Sequence, residues 1–511
     1  MNRTMPRARS AKGAVAMASL LCLVATAGCG TRLSDTAIAE DQAVTVTGTN
    51  STVGQGATGP GDGLVADGAD SLGAVATDSP GVASGAEPSA GSGALPGGAG
   101  ATGTKGGSGA GATGAGTSGS KSSANGAGGT KVAAGAPCTQ QLAPIVIGQT
   151  GAFSGLLGGS MGLQRLGLSV WVNWVNANGG IQCHPVKLYQ MDDGSDPSKT
   201  ASNINDLVTN KKAIALVGLN VPITMGAARS AAARLGVPIV GGDGGDDQWN
   251  RDPNLFQSGG SFTPASAGGF VDAVRETGFK KLGLIYCIEA TPCMQMHSQF
   301  DKAAAAAGGQ DVFQQGVSLT QSDYTAECQN LKNAGAQIVG LFVDAASQQR
   351  FARSCVSIGY RPVLETGGLS VSPAVINDPN IQALTQYVGN INAPYTSTGT
   401  PALDTLHAAF KTHTGADVPD QPSVIGWTAG MLFKGAIDSL DAATVKGPIT
   451  TAMVLDGLYA LKDKTLGGLA PPLKFTRGKG SGLIPCFTAF KITTKGIELP
   501  GPTFKCMQWK D

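Results

Sequence analysis

The side chains that could do chemistry in this chain gather just beyond short apolar runs, and most of them are carboxylates. The run VPIVGG (237–242) leads into a loop carrying Asp243, Asp246 and Asp247, with Arg251 the nearest basic residue. Such a loop repels a carboxylate and favours a cation, an ammonium or a polyol. The plainer alternative is a solvated loop that caps the following turn, and the spacing does not match an EF-hand calcium loop. Glu289 follows KLGLIYC (281–287) and Asp344 follows IVGLFV (338–343); each either faces a cleft or caps the next helix. The first apolar run offers a different chemistry. IVIG (145–148) passes into the Gly/Ser-rich stretch GQTGAFSGLLGGS (148–160) and then into a long amphipathic segment. A helix opened by such a loop presents free N–H groups and the positive end of its dipole, which can hold a small anion without a charged side chain.

Other chemistries find no support. His184, His297, His407 and His413 form no triad or metal spacing. No nucleophile elbow and no dinucleotide fingerprint is present. We therefore expect no catalytic residues, no enzyme activity, no cofactor and no metal. The chain carries 36 basic and 35 acidic residues, for a net charge of +1, and has no basic stripe, so nucleic acid is not an expected partner.

The elements that must position these residues are legible from periodicity. Strands at 145–148, 186–193, 213–219, 237–242 and 255–259 alternate with helices at 160–176, 197–210 and 224–235. A second set begins at 281–287, with Thr263-Pro264 read as the N-cap and first position of the helix before it. A helix at 295–307, a strand at 312–319, a helix at 325–334, a strand at 338–343, a helix at 347–358 and a strand at 362–368 follow, and a further helix spans 423–440. Short apolar strands alternating with helices imply parallel sheets covered on both faces. Two such sets imply an α/β protein of two doubly wound lobes, with ligands at the carboxyl ends of the strands. Trp171 and Trp174 lie three apart on the first helix and read as core packing.

The ends carry other signals. Arg3, Arg7, Arg9 and Lys12 precede an apolar run from Ala14 to Ala27, too short to span a bilayer and correctly flanked for export. It ends in ATAGC (25–29), small residues before a cysteine as in a bacterial lipobox, with Thr26 where Leu is usual. Residues 1–28 read as a lipoprotein signal peptide and Cys29 as the lipidation site, the rival being an ordinary signal peptide cut nearby. Two acyl chains on one cysteine hold a protein to a membrane stably. Residues 29–136, dominated beyond Thr47 by Gly, Ala, Ser and Thr, cannot bury enough apolar surface to order themselves. They read as a tether with a reach of roughly 50 Å for about 90 residues. GAGTSGSKS (114–122) lacks the Gly-Lys pair and the preceding strand of a phosphate loop.

Of the ten cysteines, Cys22 lies in the signal and Cys29 at its end, leaving eight in an exported chain, which implies disulfides. Their placement on neighbouring elements favours sequential pairing: Cys138 with Cys183, Cys287 with Cys293, Cys328 with Cys355, and Cys486 with Cys506. A metal site is the rival, but no CxxC pair exists.

From about Ile145 onward the chain resembles the type I periplasmic binding proteins, specifically the leucine/isoleucine/valine-binding branch that feeds ABC importers. The matching motifs are GQTGAFSG (148–155), VNANGGI (175–181), DDGSDP (192–197), LVG (216–218), GVPIV (236–240), SDY (322–324) and GYRP (359–362), in order. The resemblance implies three crossings between the lobes, near 259–261, 388–394 and 475–483. Lobe one would comprise 137–260 with 390–478, and lobe two 261–389 with 479–511. It implies a small polar solute, nominally a branched-chain amino acid or related compound, held between the lobes by hinge closure. Ser154, Ser160 and Thr224 would offer hydroxyls to its carboxylate, with Pro222 replacing one hydroxyl of the family pattern. Glu289 and Asp344 would face its ammonium. Asp243 and Asp246 stand where hydroxyls are usual, and Cys293-Met294 stands where an aromatic contact is usual, Trp249 being the candidate replacement. The implied partners are ABC permease and ATPase subunits, with the protein a monomer anchored by lipid to the outer face of the cell membrane. A ligand sensor of the same fold, signalling without transport, is the alternative.

Overall fold

The computed structural model describes residues 138–499, 501 and 503–509. The signal segment, Cys29 and the tether up to residue 137 lie outside the described residues.

Five parallel strands build the first sheet: β1 (Ile145–Gly151), β2 (Val186–Asp192), β3 (Ala215–Leu219), β4 (Ile239–Gly242) and β5 (Leu255–Phe256), in the order β2-β1-β3-β4-β5. Strand β3 is buried throughout, as a central parallel strand covered on both faces must be. Helices α1 (Gln164–Ala177), α2 (Pro197–Thr209) and α3 (Met225–Leu235) connect these strands. Asp196 caps α2, accepting from Ser198 and Lys199 N–H, with Pro197 at the first helical position. Helix α1 starts later than its periodicity implies, because a short helical turn, Gly158–Met161, occupies the preceding residues.

The second sheet has eight strands. Helix α4 (Phe262–Thr277) leads into it. Strands β6 (Lys281–Cys287), β7 (Gln310–Val317), β8 (Ile338–Phe342), β9 (Val363–Gly367) and β10 (Gln386–Asn390) run parallel. Strands β11 (Cys486–Thr493), β12 (Gly496–Glu498) and β13 (Lys505–Cys506) add antiparallel pairings, giving β12-β11-β10-β9-β8-β6-β7 with β13 on β11. Two helix readings need correction. Helix α4 begins at Phe262, one residue before Thr263; Ser261 is its N-cap, but its hydroxyl donates to Asn250 Oδ1 and accepts from Ile484 N–H, not from an N–H of the helix. The segment read as one helix from 295 is two, α5 (Thr291–Ser298) and α6 (Phe300–Ala306), broken at Gln299. Helices α7 (Thr325–Ala334) and α8 (Ala345–Ser357) flank β8.

Beyond β10 the chain returns to the first sheet. It forms α9 (Pro401–Thr414), α10 (Gln421–Asp438) and α11 (Thr451–Ala460), and α10 packs on α1, β3 and β4. That contact is close because glycines face it. A methyl on Gly167 or Gly426 would overlap the facing helix backbone, and one on Gly430 would strike the Trp171 ring. Trp171 and Trp427 are fully buried there. Segments 257–261, 390–394 and 481–485 pass between the sheet layers side by side. They are joined by Gly260 N–H to Ile391 O (2.8 Å), Ser261 N–H to Ile484 O (2.8 Å) and Asn392 Nδ2 to Ser258 O (2.9 Å).

The structure pairs the cysteines sequentially: Cys138–Cys183, Cys287–Cys293, Cys328–Cys355 and Cys486–Cys506. No helix of the described residues is long and apolar enough to cross a membrane.

Candidate functional site

The carboxyl ends of both sheets converge on a cleft of about 490 Å³, counting its mouth. From the first sheet, the loop after β1 contributes Leu157, Ser160 and Met161, and the loop after β3 contributes Pro222. The opposite wall is longer. It is built from the β6 loop (Ala290, Pro292 and the Cys287–Cys293 disulfide), Leu319 after β7, Phe342 to Asp344 at the end of β8, Gly367, Leu369 and Ser370 at and beyond the end of β9, and Phe262 at the start of α4. Almost all of this surface is apolar. Ser160, Asp344 and Ser370 are the polar side chains among the described lining residues.

The acidic loop does not line this cleft. Asp243 is fully buried beneath it; its Oδ2 accepts from Val221 N–H (2.8 Å) and its Oδ1 from Gly245 N–H (2.9 Å). Its carboxylate thereby pins the β4 loop to the β3 loop. Burial pushes its carboxyl up to about 6, against the lowering effect of the two N–H donors. Asp246 accepts from Gln248 N–H (2.8 Å), and burial raises its carboxyl as well. Asp247 pairs with Arg251 at 2.9 Å. Trp249, the candidate aromatic contact, is fully buried in the core under the loop, its ring against Gly242.

The remaining sequence candidates are distributed unequally. Asp344 does reach the cleft, but both its oxygens are turned onto its own helix. Oδ2 accepts from Ala346 N–H (3.0 Å) and Oδ1 from Ser347 N–H (3.2 Å), capping α8. Glu289 Oε1 accepts from Ser318 Oγ (2.7 Å) and Leu319 N–H (2.9 Å), which holds Leu319 in the wall; its Oε2 is buried without a partner among the described residues. Ser160 lines the cleft and donates to Leu157 O (3.2 Å). Thr224 is buried at the start of α3, its hydroxyl without a partner among the described residues and outside the lining. Ser154 is exposed, and with Phe153 and Gly194 it ties Asp192 into the join between the β1 and β2 loops. Partial burial of Asp192 is outweighed by these bonds and by the Ser154 hydroxyl, which hold its carboxyl below the usual range. Of the named candidates, then, Ser160 and Asp344 share the cleft.

The apolar walls escaped the sequence reading because nothing distinguishes Met161, Phe342 or Leu369 from core residues in composition. The available signal was position: Phe342 ends a strand, Leu369 lies just past one, and Met161 lies in the segment that follows β1, where doubly wound sheets place ligands. Among the described residues no cluster of His, Cys, Asp and Glu could hold a metal.

A family profile described as periplasmic binding protein matches residues 144–496. A search of curated proteins gives no match. Among solved structures, the chain is similar to a solute-binding protein of an ABC transporter from R. palustris in complex with benzoate, at 17% identity over 70% of this chain and 96% of that one, TM-score 0.57. It is likewise similar to a fatty acid ABC transporter substrate-binding protein from Thermomonospora curvata, at 17% identity over 71% and 94%, TM-score 0.61. A leucine-binding protein from Thermotoga maritima matches at 13% identity over 70% and 98%, TM-score 0.59. At such identities the likeness concerns the fold. The profile match is the stronger finding, for it runs from β1 through β11 and so spans every crossing between the two sheets. The chain belongs to the type I periplasmic binding protein family.

Proposed function

We propose that this protein is the extracytoplasmic solute-binding component of an ABC importer, anchored through Cys29, and that its solute is a small molecule with a mainly apolar body. Proteins of this family bind small molecules and work with ABC transporter components. Closure of the two lobes does no chemistry; it presents to the membrane subunits a surface that differs from the open one. The observation that carries the ligand class is the lining. Apolar side chains face the cleft from both sheets, while Asp243, Asp246 and Glu289 point elsewhere and Asp344 is engaged by its own helix. An α-ammonium entering there would lose its hydration and find one lining carboxylate, Asp344, already engaged by two N–H groups of its own helix, a cost of several kcal/mol. A branched-chain amino acid fits such a wall with its side chain and not with its ammonium. Aromatic and aliphatic acids of similar size fit with less desolvation, and the benzoate and fatty acid neighbours supply both kinds of probe.

The test is a thermal-shift panel on the full chain with benzoate, a medium-chain fatty acid, leucine, a polyamine and a sugar. Benzoate or the fatty acid should raise the melting temperature most, since a ligand at a hundred times its Kd adds about 2.7 kcal/mol. A shift confined to the polyamine or the sugar overturns the ligand class, and no shift with any probe overturns the binding reading. The anchor is tested separately: Cys29→Ala should release the protein from membranes, and continued attachment contradicts lipidation at that position.

A further inference from the structure

The acidic loop also makes contacts across the cleft margin. Gln295, on α5 of the eight-stranded layer, accepts on Oε1 from Asp247 N–H (2.9 Å). Its Nε2 donates to Asp247 Oδ1 (2.8 Å) and, more weakly, to Asp246 Oδ1 (3.4 Å). One amide therefore satisfies a backbone donor and two carboxylates that belong to the other layer. The surfaces meet closely beside this joint. A Cβ on Gly245 would fall 2.8 Å from Pro292 and 3.1 Å from Leu369, and one on Gly244 would fall 2.8 Å from Ile391. Pro292 and Leu369 also line the cleft, so the joint lies at its rim. Other bonds near the join involve the connecting segments themselves: Asn392 to Ser258 links two of them, and Ser261 to Asn250 ties one to the first layer.

We infer that Gln295, with Asp246 and Asp247, is the clasp that holds the lobes closed, and that the loop's charge serves lobe closure rather than ligand recognition. Asp243 supports the clasp from beneath by fixing the loop's backbone. The geometry explains why the loop is rich in glycine: Gly244 and Gly245 let the backbone come against Ile391, Pro292 and Leu369 with no side chain between. Gln295 is thus a positioning residue, acting on the site through the angle between the lobes. The inference rests on the two-lobe binding reading but not on the ligand's identity.

The experiment uses the ligand-free full chain and hydrogen exchange. Gln295→Glu sets a third carboxylate against Asp246 and Asp247. Peptides covering 157–162 and 367–372, on opposite cleft walls, should exchange about tenfold faster, equivalent to about 1.4 kcal/mol, while β1 and β8 keep their wild-type rates. Gln295→Lys, whose ammonium faces the two carboxylates, should leave cleft exchange at or below wild type. Gln329→Glu, the same charge change on the exposed side of α7, should change nothing. Wild-type cleft exchange in Gln295→Glu overturns the clasp, as does an acceleration of β1 and β8 together with the cleft. No added ligand enters this readout, so failure here leaves the solute-binding reading standing, and failure of the thermal-shift panel leaves the clasp testable.

Discussion

The loop after β4 and the wall formed by the loops after β6 and β9 are both placed at strand ends, yet they meet opposite fates. The first is strongly acidic and satisfies its carboxylates within the protein: Asp243 on Val221 and Gly245, Asp246 on Gln248, Asp247 on Arg251 and Gln295. The second is apolar and leaves its surface to the cleft. Charge near a binding site is therefore not charge toward a ligand. A carboxylate within reach of free N–H groups is held by them, because leaving buried donors unpaired costs about 1–3 kcal/mol each. The residues that meet a ligand are the ones the fold has no other use for.

The largest test of this contrast puts charge into the apolar wall. Leu369→Asp should weaken binding of whichever probe shifts the wild type most by about a hundredfold or more, near 3 kcal/mol, while Leu369→Met retains binding in the same titration. Equal affinity for Leu369→Asp would mean that the ligand does not touch this wall. Next, Asp243→Ala leaves the Val221 and Gly245 N–H groups buried without acceptors. It should lower unfolding free energy in denaturant by about 2–4 kcal/mol with or without ligand; a loss seen only with ligand would return Asp243 to the binding site.

The third test follows pH. The Asp243 carboxyl lies at about 6 in the folded protein, above the ordinary value near 3.9. The folded state therefore holds this proton more tightly than the unfolded state. The stability this gives is fully present below the unfolded value and is lost as pH rises through about 6. Unfolding measured between pH 4 and 7 should show the stability gap, taken as wild type minus Asp243→Asn, moving in favour of wild type as pH falls, by up to about 3 kcal/mol. A constant gap would show that Asp243 does not titrate in this range. The smallest effect belongs to Asp344→Asn. Asparagine caps helices about as well as aspartate, so stability should change by no more than about 0.5 kcal/mol, and probe affinity by less than about threefold. A tenfold loss of affinity would assign the Asp344 charge to the ligand.

The alternation of β1 through β9 with their helices could be read from the sequence because it depends on local patterning. Buried parallel strands must be short apolar runs, and their helices must carry a stripe. Sequential cysteine pairing followed from the same order, since each pair sits on adjacent elements. The antiparallel pairing of β11 with β10, which brings β12 and β13 onto the second sheet, was not legible, being decided by contacts between residues about a hundred positions apart. The site was legible as a place and not as a lining. Ser160 and Asp344 were found because they are polar and follow strands. Phe342 and Leu369 were missed because an apolar residue facing a cleft and one facing a core have the same composition. The direction in which Asp243 points depends on Val221 N–H, supplied by a different loop, and no local pattern encodes it.

The central claim concerns what the cleft holds, and native mass spectrometry of the protein purified from its own cells without denaturation tests it most directly. The account predicts a co-purifying small molecule with a mainly apolar carbon skeleton and no cationic group. A sugar, a polyamine or another ammonium-bearing polar solute bound in its place would contradict it.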